Sequence, residues 1–264
     1  MIRRDWHRPV NGSPFIMGVL NVTPDSFSDG GRFFLKDDAV RHAFELVDQG
    51  ADIIDIGGES TRPGSVPISA EEEKKRIIPV IREIASSTDV PISVDTMKAE
   101  VMEAALDAGA RIINDICGLT DPKMMALAVS SSVPVVIMHM HGAVDKFANN
   151  LMEGDALLTI RNFLYGMAET AVDAGVDRRN IILDPGVGFG KTPEQNIQII
   201  RNSSYFGAEY PVLIGPSRKR FLSYGFPGLE KDEATAEASR ISADSGADII
   251  RVHNVPLIRK ALEN

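Results

Sequence analysis

Ile181-Ile182-Leu183-Asp184-Pro185-Gly186-Val187-Gly188-Phe189-Gly190-Lys191-Thr192-Pro193-Glu194-Gln195 reads as one strand, one turn and one helix start. The run Ile181–Pro185 favours a buried strand. Pro185 and three closely spaced glycines then stop it. Thr192 and Gln195 flank Pro193 as a capping box with proline at the first helical position. A strand that hands directly to a helix belongs to a β-then-α unit, which implies a parallel sheet. The same segment ends like a phosphate-binding loop, but G-x-x-x-x-G-K-[ST] needs glycine where Pro185 stands. That reading is set aside, and Lys191 is taken as a loop cation.

Seven further apolar, β-branched runs repeat the pattern: Phe15–Asn21, Ala51–Ile56, Pro91–Thr96, Arg111–Ile116, Val133–Met140, Pro211–Gly215 and Asp248–His253. Each leads into helical spacing or helix-start chemistry. Ser69-Ala70-Glu71-Glu72 is a second capping box, and Thr120-Asp121-Pro122 joins a capping residue to proline. Eight such units predict an α/β fold, a (β/α)8 TIM barrel, with an open doubly wound sheet as the alternative. Two connections, Val22 to about Lys36 and Gly57 to about Pro67, are long enough to expect a functional role.

The chain has 264 residues, 44% apolar and 25% charged, so one domain over 1–264 with a substantial core is expected. Its 28 Lys+Arg and 37 Asp+Glu leave a formal charge of −9, which disfavours nucleic acid as a partner. A small anion in a local basic pocket stays compatible with that charge. No apolar run approaches the ~20 residues of a membrane span. The first residues lead into no apolar secretory segment, and Cys117 is the only cysteine, so the expectation is a cytoplasmic protein in a reducing compartment.

Barrel active sites lie at the C-terminal ends of the strands, and nearly every run here ends in a polar residue. Asn21, Asp55, Asp95, Asn114, His139, His141, Asp184, Arg251 and His253 do so, and the seventh run feeds Ser217-Arg218-Lys219. Any one of them is an ordinary cap or loop end, whereas eight polar rims together suggest a site. Arg251 and His253 are two apart and so share a face. With Lys219 and Arg62 they suit a compact anion such as pyrophosphate. The competing reading pairs Arg251 and Lys219 with Asp184 or Asp95. Carboxylates and a carboxamide on facing strands suit a flat ligand with an edge of N–H donors, such as a pterin or purine, with Phe189 or Met138 against the ring. His139 and His141 lack the further ligands of a hydrolytic metal centre and are assigned a structural or rim role. Cys117 reads as a small apolar filler, and Glu71-Glu72-Glu73 as a helix-dipole effect.

In order along the chain, Met17-Gly18-Val19-Leu20-Asn21-Val22-Thr23-Pro24-Asp25-Ser26-Phe27-Ser28-Asp29-Gly30-Gly31, Gly57-Gly58-Glu59-Ser60-Thr61-Arg62-Pro63-Gly64, Ser93-Val94-Asp95-Thr96, Ile113-Asn114-Asp115, Asp184–Thr192, Gly215-Pro216-Ser217-Arg218-Lys219 and Arg251-Val252-His253 together resemble the dihydropteroate synthases of the pterin-binding (β/α)8 superfamily. The resemblance covers nearly the whole chain. It implies condensation of 6-hydroxymethyl-7,8-dihydropterin diphosphate with p-aminobenzoate, releasing pyrophosphate, in folate biosynthesis. By that resemblance Asp95, Asn114, Asp184 and Lys219 hold the pterin, and Asn21 ligates a Mg²⁺ on the diphosphate. Arg62, Arg251 and His253 bind the pyrophosphate, while Thr61, Pro63, Ser217 and Phe189 form the p-aminobenzoate site. Asp95, Asp184, Lys219, Arg251 and His253 then carry the catalysis, and a homodimer is implied. The chain departs from the family pattern at Ala143–Asn150, over Tyr224–Ser239 and at Asn254, where the family commonly has aspartate. Two other functions share parts of this pattern: a pterin-binding methyltransferase using methyltetrahydrofolate, which needs no diphosphate site, and a non-catalytic pterin-binding paralogue.

Overall fold

Eight parallel strands form one sheet in the order β6-β5-β4-β3-β2-β1-β8-β7. They are β1 (Phe15–Asn21), β2 (Ile53–Gly57), β3 (Ile92–Asp95), β4 (Ile112–Asp115), β5 (Val135–Met138), β6 (Ile181–Asp184), β7 (Leu213–Ile214) and β8 (Ile249–Val252). A parallel bridge between Leu183 and Val212 joins the two ends, so the sheet closes into the barrel expected from the sequence. These coordinates come from a computed structural model that describes residues 6–8, 12–23, 32–60, 65–142 and 150–263. All eight expected runs contain a strand, mostly trimmed by one or two residues at each end.

The helices that alternate with the strands are α1 (Arg32–Asp48), α2 (Ala70–Ser87), α3 (Ala99–Ala108), α4 (Pro122–Ser131), α5 (Ala156–Ala174), α6 (Pro193–Arg201), α7 (Leu222–Gly225), α8 (Lys231–Asp244) and α9 (Val255–Leu262). The capping chemistry holds: Thr192 and Gln195 form the full box at α6, Ser69 Oγ accepts from Glu72 N at α2, and Asp121 caps α4 ahead of Pro122.

Strand alternation divides the apolar residues into two cores. Ile54, Ile56, Val94, Ile113, Val135, Ile137, Ile181, Leu183, Ile250 and Val252 pack outward beneath the helices. Their neighbours Met17, Ile53, Ile112, Val136, Ile182, Leu213 and Ile249 fill the barrel interior, closed at the N-terminal end by Trp6. Trp6 is buried and meets Phe15 edge to face at 5.4 Å. Two residues further along stand Val19, Asp55, Asn114, Met138, Asp184 and Arg251, with Gly215 just past the end of β7. The apolar plug is thus the floor of a polar mouth.

The acidic first turn of α2 does more than complement the helix dipole. Glu73 is fully buried, and its Oε2 accepts from Lys98 Nζ at 2.6 Å. Lys98 Nζ also donates to Glu59 Oε2 at 2.6 Å, and Glu59 Oε1 accepts from Ile68 N at 2.9 Å, which ties residue 59 to residue 68 across the second long connection. Helical spacing alone could not reveal this, because the partner lies on another helix. Removing Lys98 leaves two carboxylates facing each other with little water. Lys98→Met should cost about 2 kcal/mol, less than the 3–5 typical of breaking a fully buried pair because Lys98 is partly exposed. Adding Glu73→Gln should recover part of the loss; urea unfolding of the two variants tests both, and an unchanged midpoint for Lys98→Met would refute the role.

Candidate active site

Arg251, inward-facing on β8, spans the barrel mouth to two other strands. Its Nε donates to Asp55 Oδ2 at 2.6 Å, and its Nη2 donates to Asp95 Oδ2 at 2.7 Å. Asp55 is fully buried, and its second oxygen accepts from Asn114 Nδ2 at 3.1 Å. The pairing of Arg251 with Asp95, the competing reading of the sequence, is therefore present, and Asp55 joins it. Sequence reasoning placed Asp55 at a rim but not in the site. Its signal is the same two-residue step that carries Ile112 to Asn114 and Ile249 to Arg251.

On the opposite wall, Lys219 Nζ donates to Val187 O at 2.6 Å and lies 4.6 Å from the centre of the Phe189 ring. Asp184 Oδ1 accepts from Gly186 N at 2.7 Å, which fixes the carboxylate at the start of the glycine turn. Gly188 has φ +85°, a left-handed backbone that strains any residue with a side chain. Asn21 and Asp95 flank Gly57, whose missing side chain leaves room beside the Asn21 oxygen.

Between β7 and β8, Ser217 Oγ and His253 Nδ1 are 2.8 Å apart, and His253 N donates to Ser217 Oγ at 3.2 Å. Arg218 between them has φ +58°, uncommon for a residue with a side chain. Its N–H donates to Thr235 Oγ1, and its guanidinium grips Asp232 at 2.7 and 2.9 Å. Asn254 Nδ2 donates to the same carboxylate at 3.0 Å. An aspartate at 254 would repel Asp232, so the departure from the family pattern is a matched contact. Arg218 and Asn254 hold Asp232 down at about 2.

Burial dominates the electrostatics. It pushes Asp95 up to about 7, with Asp55 and Glu73 adding to the rise and Arg251 opposing it. Burial likewise raises Asp184 and pulls Lys219 down to about 8. At neutral pH the site therefore holds groups close to their titration points, a frequent property of functional sites.

Of the expected site residues, Asp95, Asn114, Asp184, Phe189, Lys219 and Arg251 converge on the mouth, Ser217 and His253 pair at its rim, and Asn21 sits beside Asp95. Thr61, Arg62 and Pro63 lie outside the described residues. His139 faces away from the mouth: it is buried edge to face against Phe163 at 5.1 Å, and burial lowers it to about 3. Cys117 is half-buried rather than a core filler, and burial lifts its thiol to about 11, away from nucleophilic use. Lys191 stands in the loop between β6 and α6 but does not face solvent. It is buried, and its Nζ donates to His139 O at 2.8 Å and Gly186 O at 2.7 Å, stapling the glycine turn to the end of β5. Among the described residues no cluster of three or more His, Cys, Asp or Glu could hold a metal unaided.

The chain matches the pterin binding enzyme family over residues 17–253. It is 47% identical to a dihydropteroate synthase of Bacillus subtilis over 93% of this chain and 85% of that protein. It superposes with a TM-score of 0.88 on a Xanthomonas albilineans dihydropteroate synthase with 4-aminobenzoic acid, at 40% identity over 95% of this chain and 91% of that one. A Burkholderia cenocepacia dihydropteroate synthase complexed with 7,8-dihydropteroate gives 0.85 at 37% identity, covering 95% and 89%.

The Lys191 staple makes a prediction independent of ligand. Lys191→Met keeps the apolar stem but leaves two carbonyl oxygens without their donor; burial pulls the Lys191 amine well below its usual range, so each bond is taken at the ordinary worth of about 0.5–1.5 kcal/mol. We expect a stability loss of about 2 kcal/mol. Faster amide exchange should follow at Met152, whose N–H bonds Gly190 O at 2.9 Å. Unaltered exchange there would show that the turn holds without Lys191.

Proposed function

The chain belongs to the dihydropteroate synthase family of pterin-binding enzymes, and we infer that it condenses 6-hydroxymethyl-7,8-dihydropterin diphosphate with p-aminobenzoate to give 7,8-dihydropteroate and pyrophosphate. The observation that carries the residue roles is the set of groups at the mouth: three acceptors, Asp95, Asn114 and Asp184, with the cation Lys219 on the wall it shares with Asp184 and Arg251 bonded to Asp95. A dihydropterin offers N–H donors along one edge and a ring carbonyl, so the acceptors take the donors and Lys219 donates to the carbonyl. Phe189 borders the pocket where the arylamine approaches.

The carbon–oxygen bond to the diphosphate breaks with its electron pair on oxygen. Positive charge is left on the pterin methylene, and the buried carboxylates Asp95 and Asp184 stabilise it. Arg251 and His253 meet the negative charge that grows on the departing diphosphate, where preorganised donors gain most; by the family resemblance Arg62 joins them, and Ser217, bonded to His253, borders the p-aminobenzoate side. The aniline nitrogen then attacks the methylene and afterwards loses a proton. No protein nucleophile is required. The Asn21 carboxamide oxygen is a hard donor of the kind Mg²⁺ accepts alongside substrate phosphates, and that ion would add charge neutralisation at the diphosphate. Asn21 would be its protein ligand. The family resemblance supports a homodimer. The single half-buried cysteine, in a chain where no described helix is long and apolar enough to cross a membrane, supports a cytoplasmic setting.

Incubation with the dihydropterin diphosphate, p-aminobenzoate and Mg²⁺ should release pyrophosphate, and a silent enzyme would sink the reading. Lys219→Ala should weaken pterin affinity and turnover together by tenfold or more; unchanged affinity would remove Lys219 from the ring site. Pterin affinity should also follow a bell with pH. Below about 7 Asp95 takes a proton and is lost as an anionic acceptor, and above about 8 Lys219 loses its charge. Titration calorimetry from pH 5.5 to 9.5 tests this, and a flat profile would exclude both groups from the pterin site.

A further inference from the structure

Asp55 takes no part in the roles just assigned, yet it is the most buried charged group of the mouth. Its side chain is fully enclosed, and both oxygens are used inside the protein, by Asn114 and Arg251. It can therefore touch no ligand directly. What it touches are two residues that do face the cavity, carried by β4 and β8 on either side of its own strand.

We propose that Asp55 is a positioning residue for the reaction: it orients Arg251 through Nε and fixes which end of the Asn114 carboxamide faces the substrate. This rests on the functional reading above. A carboxylate only accepts hydrogen bonds, so Asn114 must turn its nitrogen toward Asp55 and its oxygen toward the cavity. The pocket then reads an N–H donor at that point, as a pterin edge supplies and a ring with an acceptor there does not. Arg251 is bound through two nitrogens of its guanidinium, by Asp55 at Nε and by Asp95 at Nη2. When Asp95 turns to the pterin, the Asp55 bond keeps the guanidinium aimed at the mouth. A guanidinium already ordered loses less entropy on meeting the diphosphate than a free one.

Asp55→Asn keeps the shape but removes the charge and permits the Asn114 amide to flip. We expect pterin diphosphate affinity and kcat/KM to fall at least tenfold, with KM for p-aminobenzoate within twofold of the wild type. Because Asp55 would act partly through Arg251, the same substitution in an Arg251→Ala background should cost less than threefold. The pH profile supplies a readout that a loosened fold would not move. Asp95 is faced by Asp55 on β2, Arg251 on β8, Glu73 on α2 and Lys219 after β7. Removing the Asp55 charge should shift the acid limb of pterin binding to lower pH, whereas Arg251→Ala should shift it higher. Affinity within twofold of wild type, equal losses in both backgrounds, or limbs that move together would each overturn the proposal.

A measurement on the unaltered protein covers the case in which Asp55→Asn does not fold. In ¹⁵N-labelled protein the Arg251 Nε–H resonance, assigned by its loss in Arg251→Lys, should exchange slowly with water both before and after pterin binds. Averaging with the other arginines, or loss on binding, would refute the role of Asp55. A wild-type enzyme that binds pterin without releasing pyrophosphate would instead refute the functional reading and leave this test intact.

Discussion

Closing eight parallel strands into a barrel forces alternate side chains into a space too small for solvent, and everything else in this molecule follows from how the chain fills it. The lower layer is apolar: Met17, Ile53, Ile112, Val136, Ile182, Leu213 and Ile249 with Trp6 beneath them. The next inward position must either continue the plug or become the floor of a cavity. On β2, β4, β6 and β8 it changes to Asp55, Asn114, Asp184 and Arg251. Their polarity is tolerable there only because they bond to one another or to a turn. The Arg251–Asp55–Asn114 chain and the Asp184–Gly186 contact are therefore conditions of the fold as much as parts of the site.

That arrangement costs stability in a defined pH window. Asp95 has its folded pKa raised from 3.8 to about 7, so its contribution is full below the unfolded value and is lost as pH rises through about 7. Lys219 is lowered from 10.5 to about 8, so its contribution is full above the unfolded value and is lost as pH falls through about 8. Near neutrality Lys219 is mostly charged and Asp95 about half so, in a site that disfavours charge. The hydrogen bonds from Arg251 to Asp55 and Asp95 and from Lys219 to Val187 O offset part of that cost.

Period and termini made most of the fold legible in the sequence. Strand ends such as Asp184, caps such as Thr192-Pro193-Glu194-Gln195, and the two-residue step from Ile249 to Arg251 are local signals, and each came out where the pattern placed it. Partnership was not legible. Glu73 looked like dipole chemistry because its partner Lys98 stands at the start of another helix, and Lys191 looked like a loop cation because its acceptors are backbone oxygens of two different loops. His139 ends an apolar run like the site residues do, but its parity turns it under α5 onto Phe163. Asp55 shows the converse: parity put it inward, yet only the contact between β2 and β8 reveals that it serves Arg251.

The glycine turn after β6 shows why such partnerships settle function rather than fold. A turn that carries Phe189 past Lys219 needs left-handed backbone at Gly186, Gly188 and Gly190, with φ of +66°, +85° and +70°. Glycine permits that shape but does not enforce it, because it loses more conformational freedom on folding than any other residue. Enforcement comes from contacts across the turn and from outside it. Lys191, within the turn, ties Gly186 O to His139 O at the end of β5; Asn196 Oδ1 on α6 accepts from Gly188 N at 2.6 Å, and Met152 N donates to Gly190 O. One residue of the turn and two neighbouring segments thus hold it. The position of the Phe189 ring is a property of the whole upper half of the barrel, and it is stable because no single contact sets it.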